Sequence, residues 1–285
     1  MSRELVLFYR LAHFQQFVSG QRVVLYTLFG YAIARGGEVR LLMVNTTMIA
    51  FLFMFFGAYD NYLDWYLMGE RNGTSVVIER RGLSPLAGLL LIAVPWVAIA
   101  PLMSLSVRWG ASHMSIFVFW SMTALGLSYV TPGIRLKDRS CSFFIAPVWA
   151  CLLFIQAYTL SDHFHLGFSL LGLCGVVFVL QCHAELLHRL NDCLAPSAPA
   201  GEPLAQHLLS RLRWLQQFSC LASLLVVGFN PLFLNTSLWS VVRLAALRRV
   251  DIHQVAKLRL QLWHPIWSLY EFAIYAGFGP FRWFA

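Results

Sequence analysis

Apolar residues in this chain fall in long blocks, covering residues 41–59, 86–105, 114–130, 143–160, 166–180, 214–234 and 262–278. A helix needs about 20 such residues to cross the hydrocarbon core of a bilayer, and these blocks are read as transmembrane helices. Two shorter runs, 23–34 and 238–247, complete a count of nine; Arg243 interrupts the second. The pattern predicts an all-α, polytopic membrane bundle of about nine transmembrane helices. Residues 1–285 form one integral membrane domain.

Composition points the same way. The 285 residues are 59% hydrophobic and 12% charged, and mean hydropathy is +0.65. Soluble domains carry about 25% charged residues, so this chain has too few charges to cover a soluble surface. The first residues carry polar groups and no small-residue cleavage site follows, so no signal peptide is expected. Six cysteines show no CxxC and no framework spacing, and read as small packing residues.

The net charge of +8 is read as a topology signal, with no nucleic-acid partner expected. With nine spans, one side of the membrane receives the basic groups around Arg10, Arg71, Arg80, Arg135 to Arg139, Arg189 to Arg213 and Arg243 to Arg259. The other side receives only Arg35, Arg40, Arg108 and Arg282. Basic loops are cytoplasmic by the positive-inside rule. The N-terminus is therefore expected inside and the C-terminus on the opposite side, with the bilayer as the surrounding partner. Arg243 is expected to snorkel towards the cytoplasmic headgroups.

Three cytoplasmic segments carry candidate chemistry. The stretch "FGAYDNYLDWYLMGERNG" ends an apolar block with Asp60 and Asp64, which share one face if the helix continues. They are expected at the water boundary, where two carboxylates repel unless a cation or solvent separates them. The stretch "QCHAELLHRLND" places Glu185, His188 and Asp192 three and four residues apart, again on one helical face. The stretch "SYVTPGIRLKDRS", Ser128 to Ser140, contains a basic loop over residues 129–139 in which Tyr129 is followed by Pro-Gly and then Arg135, Lys137 and Arg139. Carboxylate pairs hold Mg²⁺ through oxygen with phosphate as co-ligand, and basic side chains take up phosphate charge. Acid clusters and a basic loop at the edge of an apolar bundle suit a diphosphate head carrying a hydrocarbon tail. A further segment, residues 190–213, is expected to be a flexible cytoplasmic loop, because "LAPSAPAGEP" is rich in Ala, Pro and Gly.

The order of these segments resembles the UbiA superfamily of intramembrane prenyltransferases. Those proteins have nine helices, an N-D-x-x-D-x-x-x-D motif after the second, a D-x-x-D-x-x-x-D motif after the sixth, and a tyrosine-to-lysine segment after the fourth. Asp60 and Asp64 match the last two acids of the first motif, while Phe56 and Gly57 stand where Asn and Asp are expected. Glu185, His188 and Asp192 match the second, with His in the middle acid's place. The resemblance implies Mg²⁺ held by Asp60, Asp64, Glu185 and Asp192, and an isoprenyl diphosphate gripped by Arg71, Arg135 and Lys137. It implies roles in the reaction for Tyr129, Lys137 and His188. The departures weaken the metal sites, since imidazole is a poor Mg²⁺ ligand beside carboxylate. The resemblance implies ionisation to an allylic carbocation, followed by transfer to an acceptor or, as an alternative, by cyclisation. A third reading is a non-catalytic lipid-binding or assembly protein on the same scaffold.

Overall fold

A computed structural model describes residues 21–34, 38–67, 69, 85–136, 139, 141–162, 164, 166–194, 201–228, 230–252, 254–255 and 265–278. Among them the long elements are nine α-helices, one for each predicted span. They are α1 (Gln21–Ile33), α2 (Val39–Tyr62), α3 (Pro85–Arg108), α4 (His113–Val130), α5 (Ser142–Tyr158), α6 (Phe168–Cys193), α7 (Gly201–Val227), α8 (Leu234–Arg249) and α9 (Pro265–Phe278). A π-helical turn, Leu63–Leu67, prolongs α2, and a 3₁₀ turn, Pro231–Phe233, precedes α8. No strand occurs among the described residues.

The helices belong to an integral membrane protein. Four of them, in α2, α3, α4 and α6, have both the length and the apolarity to cross a bilayer alone. Large apolar side chains stand exposed along α3, among them Leu86, Leu89, Leu90, Val94 and Val97. Such a row against water would be an aggregation liability; against lipid tails it is solvation. Pro95 and Pro101 inside α3 fit the tolerance of membrane helices for helix breakers.

The chain divides into two compact units, one of residues 1–145 and 152–164, the other of 146–151 and 165–285. In the first, α2 is the central helix and packs on α1, α3 and α4. Its buried positions Leu41, Val44, Met48, Leu52 and Phe55 recur every three or four residues. Asn45 and Gln156 are fully buried and exchange two amide hydrogen bonds of 3.0 and 2.6 Å, and Gln156 also donates to Ser115 at 3.0 Å. In an apolar bundle each such bond ties two helices for about 0.6–2 kcal/mol. A closer approach lies further along α2. A Cβ on Gly126 of α4 would come within 2.3 Å of the Phe56 ring, so the ring in this position relies on the glycine and would have to shift for any larger residue.

In the second unit α7 packs on α6 and α8, and α9 on α6. The expected flexible loop over 190–213 is corrected. Helix α6 runs to Cys193 and α7 begins at Gly201, which leaves a short connection. Ala205, Leu208, Leu209 and Leu212 are buried, and their helical spacing makes 201–213 an amphipathic first half of α7. Arg213 donates to the carbonyls of Leu247 at 2.9 Å and Val250 at 3.2 Å, so a cation closes the C-terminal end of α8.

The expected snorkelling of Arg243 is also corrected. Its side chain is buried and donates to Glu271 of α9 at 2.5 Å, beneath the ring of Trp239. An acid buried in α9 draws the guanidinium inward, because an unpaired charge there is costly.

Candidate functional site

The first acidic cluster sits where α2 changes geometry. Asp60 lies in the last turn of the α-helix, and Asp64 in the π-helical turn that follows. Single π turns recur at functional sites. Asn61 donates to the Gly57 carbonyl at 2.7 Å, which braces the last α turn. Asp60 is half-buried. Asp64 is buried at 6% exposure, enclosed by protein just beyond the end of the α2 span. A guanidinium explains how the carboxylate tolerates that burial: Arg135 Nη2 lies 3.2 Å from Asp64 Oδ1, with both side chains nearly enclosed.

The basic loop reaches Asp64 through its turn residues. Helix α4 ends at Thr131, whose extended backbone leaves the helix. Pro132 follows, and Gly133 takes a φ of +91°. The Arg135 N–H then donates to the Thr131 carbonyl at 2.9 Å, closing a five-residue turn. Arg135 itself has a φ of +36°, left-handed backbone that a side chain adopts at a cost. Tyr129 lies in the last turn of α4, part-exposed. Lys137 and Arg71 lie outside the described residues.

Aromatic rings flank the same end of α2. Tyr62 and Tyr66 stand 4.8 Å apart between centroids. Burial, with Tyr62 beside it, holds the Tyr66 phenol above its ordinary pKa. It remains a hydrogen-bond donor at neutral pH. Deeper in, Phe55 packs on Trp96 at 4.7 Å, and Trp96 meets Trp120 edge-on at 6.2 Å. Both tryptophans are substantially exposed, which marks them as surface aromatics of the span. Phe56 and Gly57, where the resembled motif carries Asn and Asp, are packing positions: the Phe56 ring fills the notch over Gly126, and Gly57 is buried.

The second cluster lies on α6, whose helix continues without a break through Glu185, His188 and Asp192. Arg189 donates to Glu185 Oε1 at 2.8 Å across one turn. His188 is exposed. The side chain of Asp192 lies outside the described residues. Sequence reasoning passed over His183, buried one turn earlier with its Nδ1 3.0 Å from the Val179 carbonyl, and over Arg189. It also passed over Glu271, an acid in the middle of an apolar run whose need for a cation was the available signal.

These donors suit one kind of metal site. No group of three His, Cys, Asp or Glu side chains forms a metal cage among the described residues. Mg²⁺ is commonly bound by one or two carboxylates with substrate phosphate and water completing the shell. Asp60 and Asp64 are of the residue type and spacing that could supply those carboxylates, and Arg135 beside Asp64 is a cation of the kind that could meet a phosphate. Glu185 alone, already engaged by Arg189, meets it less well.

No family model matches the sequence, and no curated protein matches it. Three solved structures match in fold. A UbiA homologue from Archaeoglobus fulgidus bound to GPP and Mg²⁺ has a TM-score of 0.64 over 94% of this chain and 99% of its own, at 11% identity. The same homologue bound to DMAPP and Mg²⁺ scores 0.59 at 12% identity, over 95% and 99%. Bound to Cd²⁺ it scores 0.57 at 12% identity, over 94% and 98%. The fold of this chain is that of the UbiA homologues, as the order of its spans and acidic segments led one to expect.

Proposed function

We propose that this chain, a UbiA-fold membrane protein, is an enzyme that ionises an isoprenyl diphosphate with Mg²⁺ and passes the prenyl group to an acceptor. One observation carries the reading: an apolar span ends in two carboxylates, one of them enclosed against an arginine. A diphosphate head needs that combination at the mouth of a greasy site. The archaeal homologue of the same fold was solved with GPP or DMAPP and Mg²⁺, which supports the substrate class.

In this reading Asp60 and Asp64 hold the metal, which supplies Lewis-acid stabilisation of the departing diphosphate. Arg135, with Arg71 and Lys137 of the same basic set, binds the phosphate oxygens. The C1–O bond breaks and its electron pair leaves on the diphosphate. The acceptor's electrons then form the new bond to C1, and the acceptor gives up a proton to restore its valence. Tyr129 and His188 are proposed to orient or receive such protons. The second acidic group, Glu185 and Asp192, is proposed as the weaker metal site. The distribution of basic residues supports the cytoplasmic side for this chemistry, with the N-terminus there and the C-terminus opposite.

The test is to incubate purified protein with Mg²⁺ and prenyl diphosphates of several lengths, with and without aromatic acceptors. Diphosphate release that rises with acceptor is expected, and vanishes on chelation. Release independent of acceptor, with a cyclic hydrocarbon product, would replace transfer by cyclisation. No release with any chain length would leave the non-catalytic reading, which the Phe56 packing and the Arg189–Glu185 pair favour.

A further inference from the structure

Two unusual pieces of backbone meet at one ion pair. Asp64 is in a π-helical turn, a geometry that recurs at functional sites, and Arg135 is a left-handed arginine at the end of a Pro-Gly turn, a conformation that persists where the surroundings hold it. The 3.2 Å contact between Arg135 and Asp64, with side-chain exposures of 11% and 9%, is what the two have in common.

We propose that Arg135 is a resident cation at Asp64, so that the site accepts a divalent metal only together with a diphosphate. This rests on the prenyl-diphosphate reading and adds an order to it. A guanidinium forks onto a carboxylate or a phosphate with the same geometry. In the ion-paired state Asp64 is already neutralised. A divalent ion arriving alone would sit within a few ångströms of the guanidinium charge, in a poorly solvated corner where such repulsion is strong. When a diphosphate arrives, Arg135 moves its hydrogen bonds from the carboxylate to the phosphate oxygens. Asp64 is then released to the metal that the diphosphate carries. The positive φ of Arg135 fits this exchange, because transfer to phosphate lets the turn relax. Water-filled rest states and premature metal loading are both disfavoured, and the carboxylate is never left enclosed without a cation.

The proposal gives Arg135 opposite effects on two ligands. The test uses full-length protein in detergent and Mn²⁺ as the probe, read by loss of the free-ion EPR signal. Titrations are made with Mn²⁺ alone and with Mn²⁺ plus the non-ionising thiolo analogue of GPP, each against a protein-free control. Wild type should bind Mn²⁺ alone weakly and at least tenfold more tightly with the analogue. Arg135→Gln should bind Mn²⁺ alone at least tenfold more tightly than wild type and gain little from the analogue. Arg135→Lys keeps the charge and should stay weak for Mn²⁺ alone. If wild type shows no protein-bound Mn²⁺ even with the analogue, the prenyl-diphosphate reading fails. If the analogue recruits Mn²⁺ but Arg135→Gln binds Mn²⁺ alone no better than wild type, only the resident-cation proposal is overturned. Should Arg135→Gln not fold, wild-type Mn²⁺ affinity that is equal with and without the analogue overturns it as well.

Discussion

Asp64→Asn and Asp60→Asn should both remove turnover yet differ sharply in stability. Asp64 and Arg135 face each other at 3.2 Å with little solvent between them. At an effective dielectric of about 20, unit charges at that distance attract by about 5 kcal/mol. Desolvation of the pair offsets much of that in the intact protein. Removing one partner leaves the guanidinium enclosed without its carboxylate, and breaking such pairs costs about 3–5 kcal/mol. Asp60 is half-buried and should cost no more than about 1 kcal/mol. The chain's ten tryptophans allow thermal unfolding in detergent to be followed by intrinsic fluorescence. Asp64→Asn should melt well below wild type, and Asp60→Asn close to it. Adding Arg135→Gln to Asp64→Asn should recover more than half of the loss, because the double variant buries no orphaned charge. Metal-dependent turnover should fall about a thousandfold in either single variant, the scale of several kcal/mol of Lewis-acid stabilisation. If Asp64→Asn melts with wild type, or the double variant melts no higher than the single, the enclosed pair carries no energy and the argument from burial is wrong.

Gly126→Ala should destabilise by about 1–3 kcal/mol, the cost of overpacking, since its Cβ would meet the Phe56 ring at 2.3 Å; Phe56→Leu in the same chain should restore the melting temperature. Arg243→Met and Glu271→Met should each cost about 3–5 kcal/mol, while the double variant should match or exceed wild type in thermal unfolding. Single variants that melt no lower than wild type would show that the pair at 2.5 Å is solvated in the membrane. Reporter fusions at the two termini should report opposite sides of the membrane, and a shared side would break the basic-loop argument for nine spans.

What could be read from the chain depended on whether the signal was local. Nine apolar blocks became nine helices among the described residues, and four of these, in α2, α3, α4 and α6, have the length and apolarity of a bilayer span, a property visible in a window of about 20 residues of a single sequence. The short run containing Arg243 also became a helix, Leu234–Arg249, in spite of the charge within it. The turn after α4 was visible for the same reason: the Pro132–Gly133 pair is a local turn signal, and Gly133 takes a φ of +91° there. Pairings were not visible. Nothing local says that Arg135 turns back to Asp64 rather than outward to solvent, or that Arg243 finds Glu271 one helix on. Composition misled where helical spacing should have been weighed. Residues 201–213 carry the Gly, Pro and charged residues of a loop, but Ala205, Leu208, Leu209 and Leu212 recur at the period of a buried helical face. The missing acid pair of the first motif follows the same logic in reverse. A pattern search sees Phe56 and Gly57 as absent ligands, whereas the fold shows a ring seated on Gly126 seventy residues away. At this position the side chain packs against a neighbouring helix. Asp60 and Asp64 remain the candidate carboxylates at the end of α2, and Asp64 is the one of these two seen paired with a cation from the turn after α4, Arg135.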